Sequence, residues 1–260
     1  MNGKAARSWR SLLTPAQRGA ILAVACLAIV IAAFLVRPIP QDPAYHDFAD
    51  ARTLAGIPNF WNVFSNAGFL IVGIYGLMQA RRISSPLPAA YVAFCIAMVL
   101  VALGSSWYHI RPSTQSLVWD RLPMSAGFMA LFALVIGDRL SWRLARICLW
   151  PLVMIGAASV LYWAWTEEHG AGDLRLYGLV QFLPVVLIPL LLLLCPGNRR
   201  SAMWLWCALA GYVIAKIAEL SDDAIHAICG MGGHAIKHAA SALAALFAVF
   251  AMRAMKAPEV

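Results

Sequence analysis

Apolar residues fall into eight runs, each close to the twenty or so residues a helix needs to cross a bilayer. They run approximately from Arg18 to Val36, Phe60 to Gln79, Ala89 to Tyr108, Arg121 to Gly137, Ile147 to Trp165, Leu176 to Cys195, Ala202 to Leu220 and His234 to Met252. Short polar or proline-containing connections separate most of them. The pattern predicts an all-α polytopic membrane protein with no appended soluble module. Pro184 and Pro189 predict a kink in the sixth span. Lys4, Arg7 and Arg10 precede the first run as they would in a signal peptide. Its apolar core is long for that role, and Leu35-Val36-Arg37-Pro38 offers no small-residue cleavage site. It reads as a retained helix.

Composition agrees. The 260 residues are 62% hydrophobic and 12% charged, about half the charge of an ordinary soluble domain. The net charge of +8 is dispersed between apolar runs, which argues against a nucleic-acid partner and for topology signals. Thirteen Lys/Arg fall on one side of the predicted membrane, at the N-terminus and near Arg81, Arg139, Arg199 and Arg253, against six on the other. That bias places both termini in the cytoplasm. Ten tryptophans mostly flank the spans, as interfacial aromatic belts do. The six cysteines form no close pair and read as small buried hydrophobes. There is no Walker A sequence and no dinucleotide-binding fingerprint after a strand.

Candidate chemistry gathers at one end of the bundle. His234 and His238 are four apart, so both imidazoles leave one helix face. His109 ends the third span, four residues after Ser105, and Asp120 opens the next span. The charge-derived topology puts all of them at the non-cytoplasmic end. Three histidines with an open fourth position form a catalytic zinc arrangement; polar anchoring at a membrane interface is the plainer reading of an isolated HxxxH pair. In the zinc reading Asp120 is the general base and Ser105 donates a hydrogen bond to an oxyanion. Lys216, Glu219, Asp223 and His226 share a face of the seventh span. They form an internal ion pair, carboxylates supporting a zinc-bound imidazole, or a subsite for a substrate headgroup. Lys237 and Arg121 read as interfacial anchors, with a lipid headgroup or fatty-acid carboxylate as the other use for Arg121. His46, His169 and the Glu167-Glu168 pair read as solvated loop residues.

These segments resemble the alkaline ceramidases. Gly104-Ser105-Ser106-Trp107-Tyr108-His109 is similar to their GSxxxH motif, and Asp120-Arg121-Leu122-Pro123-Met124 to DELPM. His234-Ala235-Ile236-Lys237-His238 is similar to their final HxxxH, and Asn59-Phe60-Trp61-Asn62-Val63-Phe64-Ser65-Asn66 to EFWNTxSN. The resemblance implies a seven-helix membrane fold within a wider group that includes the adiponectin receptors. It implies Zn2+ on His109, His234 and His238, with Asp120 and Ser105 beside the water. It also implies hydrolysis of a sphingolipid amide that releases a fatty acid. The chain then divides into a cytoplasmic tail (1–17), an extra transmembrane helix (18–36), an external loop (37–59), a seven-helix ceramidase-like bundle (60–253) and a second cytoplasmic tail (254–260).

Two departures stand out. Alkaline ceramidases place Ca2+ near their N-terminus on a DWxExN cluster and the Glu of EFWN. Here Asp47 and Asp50 remain, but Arg52 stands where Asn is expected and Asn59 replaces the Glu. Calcium prefers six to eight oxygen ligands, so the expectation is that Arg52 replaces the ion and pairs with Asp47 or Asp50. Arg121 stands where the motif has a second acid. The composite expectation is a zinc-dependent intramembrane amidase in a bacterial inner membrane, its site toward the periplasm and its substrate ceramide or another N-acyl lipid. The alternative is a receptor-like or regulatory protein with structural zinc. A transporter fits less well, because the intramembrane charges cluster toward one end. The sequence names no protein partner.

Overall fold

The computed structural model describes residues 13–83 and 85–256. The ends of both predicted tails, with Lys4, Arg7, Arg10 and Glu259 of the charge tally, lie outside the described residues. Ten α-helices are described in chain order: α1 (Pro15–Leu35), α2 (Phe60–Phe64), α3 (Ala67–Gln79), α4 (Pro88–Ile110), α5 (Thr114–Arg139), α6 (Trp142–Glu168), α7 (Arg175–Leu194), α8 (Arg199–Leu220), α9 (Asp222–Cys229) and α10 (Gly233–Ala254). Eight segments are long and apolar enough to cross a membrane, α2 and α3 together forming the second. The described chain is an all-α polytopic membrane fold.

α5 is the hub, packed against α4, α6 and α7. α4 leans on α3, α3 on α10, and α10 runs along most of α8. α7 and α8, although consecutive, meet at few points. α1 buries none of its residues and lies outside the bundle against α7. It is held at its start by a capping box between Thr14 and Gln17. Such a helix draws its stability from lipid and its own backbone bonds rather than from a core.

Three local features fix the site. The second span is broken at Ser65–Asn66, where Asn66 Nδ2 donates to the Asn62 carbonyl at 2.9 Å. Ser113 caps α5 by accepting from the Ser116 amide. The helix therefore starts well before the expected Arg121, and Asp120 sits in its second turn. Pro123 lies inside α5 and has no amide hydrogen for the Trp119 carbonyl four residues earlier. That carbonyl faces Gly104 of α4, where a Cβ would come within 2.0 Å of it. A missing side chain and a missing amide proton let α4 and α5 close together beside Ser105 and Asp120. α7 contains both Pro184 and Pro189 within one helix.

Residues 36–59 form a strap across the end of the bundle. The Leu174 amide donates to the Ile39 carbonyl at 2.9 Å, and the Gln41 amide to Glu167 Oε1 at 2.5 Å. His46 bonds Tyr108 Oη at 2.9 Å and Thr114 Oγ1 at 3.2 Å. The Ala49 amide donates to Asp222 at 3.0 Å. The strap returns through a tight reversal at Ala55 and Gly56, both at positive φ, and enters α2 at Asn59.

Candidate metal centre

α4 delivers His109 in its last turn, and α10 delivers His234 and His238 from its first two turns. The three imidazoles are buried, and each pair of ring centroids is 4.9 Å apart. One nitrogen from each lies within 4.8 Å of the others. Phe48 of the strap packs at an angle against both His109 and His234, with ring centroids 4.7 Å apart, and closes the cluster on that side.

The donor set fits a metal. Both ring nitrogens of the fully buried His109 lack a hydrogen-bond partner, a costly state for polar atoms. His238 Nδ1 lies 3.1 Å from the Asn62 carbonyl and 2.9 Å from Ser65 Oγ. A carbonyl only accepts, so Nδ1 carries the proton and Nε2 keeps its lone pair. Metal-bound histidines are commonly held by such a bond from the other nitrogen. Asn59 Nδ2 donates to the His109 carbonyl at 2.9 Å, and Asp222 accepts from the His234 amide at 2.9 Å. Three neutral imidazoles suit zinc.

Ser105 and Asp120 are buried on facing helices. Both, with His238, line a cavity of about 640 Å³ that runs into the bundle between α5, α7, α8 and α10. Its walls are mostly aliphatic and aromatic. α1 contributes Ile29 and Ala33, and the strap contributes Tyr45. The volume lies within the roughly 300–1,000 Å³ typical of small-molecule sites.

The remaining candidates separate. Asp50 takes a bidentate grip from Arg52, at 2.8 Å from Nε and 2.7 Å from Nη2, and Arg52 also donates to the Gly230 carbonyl. The guanidinium holds the Asp50 carboxyl below the usual carboxylate range. Asn59 is turned to His109, and Asp47 makes no ion pair with Arg52. Calcium does not fit there, because an arginine already answers the carboxylate. Millimolar calcium is therefore expected to leave the melting temperature unchanged, and Arg52→Gln to lower it. A melting temperature that climbs with calcium, as ligand linkage demands, would overturn that assignment.

Lys216 pairs with Glu219 at 2.6 Å, and both line the cavity. Asp223 does not join them: the helix breaks at Ser221, and Asp223 is exposed on α9. Lys237 is no interfacial anchor. Its ammonium turns inward and bonds the other Glu219 oxygen at 2.6 Å. Arg121 is likewise 5% exposed rather than at an interface. His46 is bonded rather than solvated, and burial followed by the Arg121 charge lowers its pKa, with Asp47 opposing. Glu167 serves the strap. Asp222, the Asn62 carbonyl and Ser65 were not legible as site residues, although the last two lie in the segment that resembles EFWNTxSN. The described cysteines are all free.

A family model described as Ceramidase matches residues 52–257. The chain belongs to the ceramidase family. The match covers most of the chain and begins after α1 and most of the strap. No curated protein matches the chain. Membership supports a hydrolase with a ceramide-hydrolysing role and a lipid substrate. Within this ceramidase-family chain the buried histidine triad is compatible with zinc.

Proposed function

We propose that the chain is a zinc-dependent intramembrane amidase acting on ceramide or a related N-acyl lipid and releasing a fatty acid. The observation that carries the reading is the buried His109–His234–His238 cluster with orphaned His109 nitrogens, set beside a cavity that ends on Ser105 and Asp120. His109, His234 and His238 would hold the zinc, which when bound supplies Lewis acidity and lowers the pKa of water to about 7. Asp120, facing the same cavity, takes a proton and passes it to the departing amine. Ser105, which lines the cavity with Asp120 and His238, donates its hydroxyl to the carbonyl oxygen as negative charge develops there. The apolar walls align the acyl chain and keep bulk water out. Lipid reaches the site sideways: α7 and α8 scarcely touch, and Phe182, which lines the cavity, is 47% exposed.

In this reading residues 60–253 form the ceramidase-like unit, 37–59 an external strap and 18–36 an added helix. The charge bias supports a bacterial inner membrane, cytoplasmic termini and a periplasmic site. Elemental mass spectrometry of detergent-purified protein tests the metal. About one zinc per chain is expected, lost in His238→Ala. A folded, monodisperse wild type that takes up no zinc when supplied with it would sink the mechanism.

A further inference from the structure

Arg121 is a buried cation without a counterion. Its Nη2 donates to Gln41 Oε1 at 2.7 Å, while Nη1 is buried and has no hydrogen-bond partner. The guanidinium carbon lies 4.2 Å from the Trp163 ring centre, 4.8 Å from Tyr177 and 5.5 Å from Tyr45. Among the described residues it joins no ion pair. Its sequence neighbour Asp120 forms no ion pair with it. Aromatic faces attract a cation but do not neutralise it, and an isolated charge inside a membrane protein is costly.

Arg121 also lines the cavity, together with Lys216, Glu219 and Lys237. Glu219 is shared by both lysines, and Arg175 is answered by Asp173. Three cations therefore stand against the carboxylates of Glu219 and Asp120. The polar end of an otherwise apolar cavity carries surplus positive charge, and one guanidinium nitrogen of Arg121, Nη1, is without a partner.

We infer that Arg121, seated in its aromatic box, is the binding subsite for the anionic group of an amphiphile in this cavity, a carboxylate or a phosphate. That anion comes either from the headgroup of an N-acyl substrate or from the released fatty acid. The inference rests on the lipid-amidase reading for its substrate class. Its geometry does not depend on turnover. Arginine suits the task because its planar fork meets a carboxylate or phosphate with two parallel bonds.

Calorimetric binding to the detergent-purified full chain tests this with three probes of equal acyl length: N-oleoylglycine, oleate and the uncharged N-oleoylethanolamine. The wild type is expected to bind both anions about tenfold or more tightly than the neutral amide. Arg121→Gln, which keeps a polar side chain toward Gln41, is expected to erase that preference, and Arg121→Lys to retain part of it. Equal binding of the three probes by the wild type overturns the proposal, and needs no variant to fold. A preference that survives in folded Arg121→Gln also overturns it, by placing the anion elsewhere. The ratio of kcat/KM for the two amides assigns the source. Faster cleavage of N-oleoylglycine points to the headgroup, whereas equal cleavage with tight oleate binding points to the product. If no amide is cleaved and no zinc is found but the preference holds, the amidase reading fails and the subsite stands.

Discussion

Asp120→Asn is expected to lower turnover of an N-acyl lipid by about 10²- to 10⁴-fold, the usual contribution of a positioned acid–base group. Zinc content and melting temperature should stay close to those of the wild type. The substitution exchanges one carboxylate oxygen for an amide nitrogen at nearly constant volume. It keeps a hydrogen-bonding side chain opposite Ser105. Asp120 is not among the clustered histidines, so the metal ligands keep their positions. What disappears is a group able to take up and release a proton beside the cavity. Turnover within a few-fold of the wild type, measured as fatty acid released from ceramide or another N-acyl lipid in mixed micelles, would remove Asp120 from the chemistry. Loss of zinc in the same variant would instead assign it a structural part in the metal centre.

Gly104→Ala should be nearly as damaging through packing alone. An added Cβ would stand 2.0 Å from the Trp119 carbonyl oxygen and 3.3 Å from the Asp120 amide nitrogen. Both obstacles are backbone, so no rotamer change relieves the clash, and α4 must move away from α5. Overpacking of this kind costs about 1–3 kcal/mol. The displacement falls at the residue before Ser105 and separates the two polar side chains that face each other across the interface. A misplacement of about 1 Å can reduce an enzyme's rate roughly a hundredfold, so a similar loss of turnover is expected along with a lower melting temperature. Gly127→Ala is the control on the same interface. Its Cβ would meet the terminal methyl of Met98 at 3.0 Å, the far end of a flexible side chain. If both variants behave alike, the close approach at Gly104 has no special part in the site.

Much of this architecture is legible in the order of residues. Eight apolar runs specify eight candidate spans, because hydrocarbon leaves helical backbone few alternatives. The i, i+4 spacing of His234 and His238 puts both rings on one face, and the resemblance carries His109 to them. What escapes the sequence depends on residues far apart in the chain. Lys237 sits on the last span and its partner Glu219 on the preceding one, so helical angle alone pointed the lysine toward the membrane surface. Arg121 is drawn inward by Gln41 of the strap and by aromatic rings from other segments. The second span reads as one apolar run, yet it breaks where Asn62, Ser65 and Asn66 exchange hydrogen bonds with each other and with His238. Hydropathy averages over such a break. The strap has no periodicity at all, and its course follows from contacts with α4, α5, α6 and α9.

That strap bears on how the proposed lipid hydrolase meets its surroundings. It is stitched to several helices at once, so lifting it would break bonds to all of them together. Between α7 and α8 there is little to break. In the proposed reading, reactant and products exchange with the acyl phase of the bilayer rather than with the aqueous compartment. Such an enzyme follows two-dimensional kinetics: its velocity tracks the mole fraction of its lipid in the membrane, and dilution with inert lipid slows it even when the bulk concentration is held constant.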